Sequence, residues 1–239
     1  MAKRLFDILL SLGVLIASSP VMLWALWRVW RFDRRDPIYR APRVARGNGD
    51  FMMMKIRSMS VGADRSGLSS TSLGDARITP IGHIIRRWKL DELSQFWNVL
   101  VGDMSVVGPR PQVRRDGVDR YTAEEMRLLS VRPGITDLSS IVFSDEGAIL
   151  ADHTDADQAY ETLIRPWKSR LGLFYVDHRS LWMDLQLVWM TALAIASKPR
   201  ALAGVDRILA VHGADAELRR VCRRDAPLRP ALPPGSAPA

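Results

Sequence analysis

Cysteine is almost missing from this 239-residue chain, which has only Cys222. A lone cysteine excludes an internal disulfide framework and a cysteine-rich zinc site. Histidine is scarce as well. His83, His153, His178 and His212 are dispersed and form no local ligand motif, so histidine-based metal or triad chemistry has no support in the sequence. The phosphate-cradling patterns GxGxxG and GxxxxGK[ST] are absent, as are the GxSxG nucleophile elbow and the HExxH zinc helix.

Acidic charge is thin in one region. Residues 1–57 carry 11 Lys/Arg against 4 Asp/Glu, whereas the rest of the chain is nearly balanced at 23 against 22. The formal charge of +8 therefore sits almost wholly at the amino-terminal end, where it brackets an apolar run. Ile8 to Trp27 contains no charged residue; Lys3 and Arg4 precede it, and Arg28, Arg31, Arg34 and Arg35 follow it. Basic residues beside an apolar stretch mark the cytoplasmic face of a membrane, where each contributes about 1 kcal/mol near anionic lipid. Membrane lipid is the expected partner, and nucleic acid is not.

As a helix, those twenty residues would be about 30 Å long, the thickness of a bilayer core. Pro20 falls near the middle, after Ser18 and Ser19. It removes one backbone bond and crowds the carbonyl of Ile16, so a kink or break is expected, with the serine hydroxyls able to satisfy freed carbonyls. Two basic flanks suit a re-entrant hairpin whose ends share one side. A kinked spanning helix reads equally well on physics alone. A cleaved signal peptide fits poorly, because Trp24, Trp27 and Trp30 crowd the region where small residues should mark cleavage.

Residues 31–58 are mixed and turn-rich. Gly47-Asn48-Gly49-Asp50 reads as a hairpin turn, and Phe51–Ile56 as a short strand. Residues 62–76 read as a loop. A helix is expected from near Pro80 through Leu100, with or without a break, because Leu90, Leu93, Trp97 and Leu100 follow helical spacing. Gly108-Pro109-Arg110-Pro111 and Pro133-Gly134 are stiff turns, Tyr121–Leu129 a short helix, and residues 157–173 helical. The apolar stretch 181–197 is short for a span and is expected to be buried or interfacial. One or two amphipathic helices are expected over 205–224, and disorder over the last dozen residues.

Asp91 and Glu92 follow three cations, Arg86, Arg87 and Lys89. Neighbouring helix residues point about 100° apart, so the two carboxylates could flank a cation or a phosphate. On spacing alone the ordinary reading is stronger: Arg87 lies four residues before Asp91, the geometry of a helix-surface ion pair. Arg110 is better constrained, because its flanking prolines stiffen the turn and leave little entropy to lose when the guanidinium grips a phosphate. A loop arginine pointing into water is an equal reading. Lys55 and Arg57 alternate onto one face of the strand, where they would meet an anion or a core-edge acid.

Taken in order, several segments resemble one family. They are KRLFDILLSLGVLIASSP (3–20), FMMMKIRSM (51–59), DARITPIGHIIRRWKLDELSQFWNVLVGDMSVVGPRP (75–111), VRPGIT (131–136) and SLWMDLQLVWMT (180–191). Together they resemble the monotopic phosphoglycosyl transferases, the bacterial sugar transferase family of the undecaprenyl-phosphate glycosyl-1-phosphate transferase type. The likeness covers roughly residues 1–197.

The resemblance implies an α-rich α+β fold. It implies a monotopic membrane protein with a Pro-broken re-entrant amino-terminal helix, marked by Ser19 and Pro20, and a small cytosolic catalytic domain. The corresponding division is 1–35 for the membrane helix and its basic flank, 36–198 for the catalytic domain, and 199–239 for an amphipathic or disordered extension. By resemblance, Asp91 attacks the β-phosphorus of a UDP-sugar donor, expelling UMP and forming an aspartyl phosphosugar. A polyprenyl (undecaprenyl) phosphate acceptor then takes the phosphosugar. Asp91 and Glu92 would hold Mg²⁺, and Lys55, Arg57, Arg86 and Arg110 would bind substrate phosphate. Asp91 must be ionised to attack, and the neighbouring cations are expected to depress its pKa. The implied location is the cytoplasmic face of the bacterial inner membrane, with a role in starting surface glycan assembly.

Residues 40–47 (RAPRVARG) and 137–147 (DLSSIVFSDEG) depart from the family's usual runs. They leave the sugar open, as they do the oligomeric state. The alternative function is a catalytically decayed, membrane-associated interaction protein, against which the intact Asp91, Glu92 and Arg110 argue.

Overall fold

The computed structural model describes residues 1–63, 75–115, 117–151 and 153–236; most of the loop expected over 62–76 lies outside them. Two compact units emerge, residues 1–43 with 50–106, and residues 44–49 with 107–239.

The first unit opens with α1 (Ala2–Asp33), a single 32-residue helix. It runs through Pro20 without an unwound segment. Pro20 cannot donate to the Ile16 carbonyl, and Ser19 Oγ donates to that oxygen instead, at 2.8 Å. Ser18 Oγ does the same for Val14 at 2.7 Å. The interruption is thus one missing bond, filled by a neighbour. Asp7, Ser11, Ala25 and Val29 are the buried positions of α1. Asp7 and Ala25 are eighteen residues apart, as are Ser11 and Val29. Eighteen residues make five full turns, so one stripe faces the protein. The rest of the helix leaves Leu5, Leu9, Ile16, Leu23 and Trp27 exposed. Its most apolar 18 residues have a mean hydropathy of 2.0.

Beyond α1, strands β1 (Ile38–Val44) and β2 (Asp50–Ile56) pair as a two-stranded sheet. β1 was not anticipated from its mixed, proline-containing sequence. The expected helix over Pro80–Leu100 is three short ones, α2 (Pro80–Arg87), α3 (Leu90–Leu93) and α4 (Gln95–Val101), followed by the short strand β3 (Ser105–Val107). The break between α2 and α3 falls at Lys89, which is left-handed with φ 50°. Ala25 and Val29 of α1, Ile56 of β2 and Ile81 and Ile85 of α2 form one core cluster.

In the second unit, residues 45–49 close the hairpin, with Gly47 at φ 75°, a conformation glycine adopts without strain. Strand β4 (Gly134–Thr136) leads into α5 (Leu138–Val142), α6 (Glu146–Ala151) and α7 (Ala156–Ala159). A π-helical turn, Tyr160–Ile164, joins α7 to α8 (Arg165–His178). Tyr121–Leu129 is not an α-helix; residues Glu125–Ser130 form 3₁₀ turns. Then come α9 (Leu181–Ala196), α10 (Lys198–Val211) and α11 (Ala216–Arg223). In α9, Met183, Asp184 and Leu187 are buried while Trp182, Trp189 and Ile195 stand exposed.

The end of the chain corrects an expectation. Residues 225–236 form no helix or strand, yet they are tied to the second unit by backbone bonds. Proline removes amide donors, but the remaining backbone groups still require partners and find them on the folded surface.

Candidate active site

Asp91 and Glu92 lie in α3, directly after the left-handed Lys89. A non-glycine residue with positive φ carries strain and persists only where its surroundings hold it. Here it turns the chain between α2 and α3, so the carboxylates do not continue the α2 surface. It also disposes of the ordinary reading of Asp91. An Arg87–Asp91 pair at i,i+4 needs an unbroken helix, and among the described residues no ion pair joins the two.

Two side chains of the next turn fix α3 and α4 against β2. The Asn98 carboxamide accepts from the Met54 amide at 2.8 Å and donates to the Met52 carbonyl at 2.9 Å. Alternate residues of a strand edge present such a donor and acceptor side by side, so Asn98 stands in for a third strand. Ser94 Oγ bonds the carbonyls of Met54 and Asp91, at 3.1 and 3.0 Å. Neither residue was singled out from sequence. The signal was there: two polar residues, four apart, within an apolar helical stripe.

β2 carries Lys55, and α2 carries Arg86, whose Nε donates to Ser58 Oγ at 2.9 Å. Thr79 caps α2 through the Gly82 amide at 3.0 Å. A Cβ on Gly82 would lie 1.9 Å from the Ser58 carbonyl oxygen, so only glycine lets α2 approach this closely. The result brings Asp91, Glu92, Lys55 and Arg86 together, with both cations near enough to act on Asp91 electrostatically.

The expected depression of the Asp91 pKa does not result. Burial raises the Asp91 carboxyl above the ordinary carboxylate range; Lys55 opposes the rise, Glu92 adds to it, and Arg86 opposes it less strongly. Desolvation of the charged form wins over two cations that remain partly solvated.

Arg57 faces elsewhere. Its guanidinium grips Asp33 at the end of α1 through two bonds of 2.6 and 2.7 Å, and its Nε donates to the Asp36 carbonyl at 2.9 Å. At the start of α1, Arg4 donates to the carbonyls of Val99 and Leu100 that end α4. Asp7 accepts from the Val106 amide at 3.1 Å and from Ser105 Oγ at 2.9 Å. Both ends of α1 are therefore bonded to the unit that holds Asp91.

Arg110 belongs to the second unit. Pro133-Gly134, expected as a turn, leads directly into β4, which meets the bend at Gly108-Pro109 backbone to backbone: the Gly108 amide donates to the Thr136 carbonyl at 3.0 Å, and the Gly134 amide to the Pro109 carbonyl at 2.9 Å. A Cβ on Gly134 would lie 2.1 Å from the Gly108 nitrogen. Arg110 thus projects from a doubly braced turn into a cavity of the second unit. Tyr121, Asp137, Ser139, Tyr160, Arg165 and Lys168 also line it. Buried Glu125 holds one wall in place, accepting from Ser169 Oγ at 2.6 Å and Arg165 at 3.1 Å. Asp137 and Ser139 come from the run that departs from the family pattern. Asp184, in the quoted SLWMDLQLVWMT segment, is structural: buried, it accepts from Tyr175 Oη at 2.7 Å.

Adjacent carboxylates, both half-buried and one largely desolvated, suit a hard divalent cation. Mg²⁺ uses one or two carboxylates and completes its shell with water and substrate phosphate. Among the described residues no group of three or more His, Cys, Asp or Glu could hold a metal by itself. The donor set fits a substrate-completed magnesium site and does not fit a closed structural one.

Residues 1–198 match the family model described as bacterial sugar transferase. A UDP-N-acetylgalactosamine-undecaprenyl-phosphate N-acetylgalactosaminephosphotransferase of Aeromonas hydrophila is 36% identical over 196 residues, covering 81% of this chain and 43% of the relative. An undecaprenyl-phosphate galactose phosphotransferase of Salmonella typhimurium is 32% identical, covering 83% of this chain and 41% of the relative. A UDP-glucose:undecaprenyl-phosphate glucose-1-phosphate transferase of Klebsiella pneumoniae is 33% identical, covering 79% and 39%. The chain spans less than half the length of these curated relatives.

Proposed function

The chain belongs to the bacterial sugar transferase family, and from that premise we propose that it transfers a sugar 1-phosphate from a UDP-sugar to undecaprenyl phosphate. The observation that carries this reading is the placing of Asp91, its backbone carbonyl bonded by Ser94 and its carboxylate within electrostatic reach of Lys55 and Arg86, in the unit that bears α1.

In the first step an Asp91 oxygen attacks the β-phosphorus of the donor. A new P–O bond forms as the bond to the bridging oxygen breaks, and UMP departs with that electron pair. In the second step a phosphate oxygen of the polyprenyl acceptor attacks the same phosphorus, and Asp91 leaves as a carboxylate. An anion must twice approach an anionic phosphorus, so positive charge at the site lowers both barriers. Lys55 and Arg86 supply part of it around Asp91. Arg110, on its braced turn, is assigned to substrate phosphate, and Arg57 to holding the end of α1. Asp91 and Glu92 would hold Mg²⁺, which when bound neutralises phosphate charge and polarises the P–O bonds.

The same reading places the protein as a monotopic enzyme on the cytoplasmic face of the inner membrane, where it starts a surface glycan. The attachment of both ends of α1 to one unit supports this topology: a helix crossing the bilayer would carry one end away from that unit. The exposed apolar face of α1 and the Ser19 bond to Ile16 suit insertion without an orphaned carbonyl.

Purified protein given Mg²⁺ and a panel of UDP-sugars without lipid should release a stoichiometric burst of UMP and acquire a covalent adduct. The three relatives above are named for N-acetylgalactosamine, galactose and glucose, and those sugars head the panel. An active enzyme with neither burst nor adduct sinks the two-step mechanism. Tags at residue 2 and near residue 40 should both report cytoplasm.

A further inference from the structure

The chain beyond the family-matched region turns back onto the second unit. Residues 225–236 read Asp-Ala-Pro-Leu-Arg-Pro-Ala-Leu-Pro-Pro-Gly-Ser, with proline at 227, 230 and 233. Over 227–232, proline at every third position suits a polyproline II helix, which has three residues per turn and no internal hydrogen bonds; the segment then closes in a turn, where the Ser236 amide donates to the Pro233 carbonyl at 3.1 Å. Burial keeps the same period. Leu228 and Ala231 are half-buried and Pro234 is buried, while Arg229, Pro230 and Leu232 are exposed.

A polyproline segment must bond its free backbone groups to something else. The Arg229 carbonyl accepts from the Trp167 indole Nε1 at 3.2 Å, and the Ala231 amide donates to the Thr162 carbonyl at 3.0 Å. The Pro234 carbonyl accepts from Thr122 Oγ1. The middle bond has a local cause. Pro166 lies four residues after Thr162 and has no N–H to give it, so the Ala231 amide supplies the donor that the helix lacks. The acceptor sits in the π-helical turn Tyr160–Ile164, an irregularity that occurs often at functional sites. Tyr160 starts that turn, Arg165 and Lys168 follow it, and Tyr121 precedes Thr122. All four line the cavity that holds Arg110.

We infer that residues 225–236 are an intramolecular polyproline latch that positions the Tyr160–Lys168 wall of the Arg110 cavity and thereby sets affinity for the donor. The claim about affinity rests on the proposed reading of that cavity as a substrate site. The latch acts through Thr162, Trp167 and Thr122; its residues are positioning residues.

The test uses the full-length chain. Ala231→Pro removes the one N–H that reaches Thr162 while keeping a backbone suited to polyproline II; Ala231→Ser keeps the N–H. For Ala231→Pro, KM for the UDP-sugar should rise about fivefold, the value of one lost hydrogen bond, with kcat little changed. Amide exchange over residues 160–165 should quicken by a similar factor, and Ala231→Ser should match wild type in both. Leu232→Ala, on the exposed side of the latch, is the control. Unchanged exchange in Ala231→Pro overturns the latch, and faster exchange with unchanged KM overturns its role in affinity. Exchange needs no substrate, so it tests the latch even if no UDP-sugar is turned over; that failure would count against the proposed function and not against the latch.

Discussion

Arg57 and Asp33 form a two-bond ion pair, 2.6 and 2.7 Å, that ties the end of α1 to the end of β2. The strand pattern leaves Lys55 and Arg57 facing an anion or a core-edge acid, and the family resemblance assigns both to substrate phosphate. In the fold the two do different things: Lys55 acts on Asp91, and Arg57 secures the end of α1.

That division predicts opposite behaviour. Arg57→Ala should destabilise the chain by about 2 kcal/mol, because it strands a partly buried carboxylate. Asp33→Ala should do the same, and the double variant should lose little more than either single one. Lys55→Ala should lower the UMP burst rate with little change in melting temperature. A stable, inactive Arg57→Ala would return Arg57 to the substrate.

Asp91 sets an acid limit on the first step. Its carboxyl is raised in the folded chain, chiefly by burial, so burst rate should fall as pH drops through a value above the usual ~3.9 of an aspartate. The same shift bears on stability. A raised folded pKa stabilises the fold below the unfolded pKa, where Asp91 is protonated in both states, and this contribution is lost as pH rises through the folded pKa. At pH 7 the ionised carboxylate is therefore a burden. Asp91→Asn should melt no lower than wild type at that pH while losing the burst, and a melting temperature clearly below wild type would contradict the burial argument.

Asn98 carries the carboxylates at one remove. Asn98→Leu removes two bonds to the edge of β2 and leaves a strand amide and carbonyl unpaired, a loss of about 2–3 kcal/mol. Since α4 follows directly on α3, kcat should fall further than stability accounts for. Asn98→Asp keeps the acceptor for Met54 but sets a buried carboxylate against the Met52 carbonyl and the Asp103 carboxylate, and should cost at least as much. Denaturant melts with parallel burst kinetics separate the two effects.

The meeting of β4 with the Gly108-Pro109 bend tolerates no added atom. Gly134→Ala places a methyl 2.1 Å from the Gly108 nitrogen and 2.4 Å from its oxygen, both backbone atoms that cannot swing aside. The expected result is a loss of about 3 kcal/mol or more, seen as poor yield or a lowered melting temperature. Gly147→Ala, where a Cβ meets nothing within 4 Å, is the matched control.

Chelation should remove activity without unfolding the chain. With two carboxylates at the site and no larger ligand cluster among the described residues, EDTA should abolish the burst and leave the far-ultraviolet circular dichroism unchanged. Added Mg²⁺ should restore it. Unfolding on chelation would mean a structural metal.

The local chemistry was legible in the residues themselves. A charge-free run between basic flanks specifies a long apolar helix, glycine and proline specify the bends at 47–49 and 108–109, and the apolar run after the first of them specifies β2. These follow from backbone sterics and solvation, which act over a few residues. Pro133-Gly134, expected as a turn, instead leads into β4. Helix 80–100 was legible only as periodicity. Its break at Lys89 is absent from the pattern, because the apolar stripe continues across it and only packing against β2 and α1 holds a lysine left-handed.

The roles of the charged residues lay further out of reach. Lys55 and Arg57 look alike in a strand, and what separates them is the position of Asp33, twenty-four residues earlier in the chain. Asp91 looked like a carboxylate with its pKa lowered by neighbours; burial, which no run of residues states, reversed the sign. The tail looked disordered by composition, yet the Thr162 carbonyl opposite Pro166 offers its amide a partner. Sequence alone determined which groups this protein carries and the conformations its backbone prefers nearby. The tertiary structure decided which charge meets which and how much water each keeps, because Coulomb and desolvation energies depend on distances through space that the order of residues does not contain.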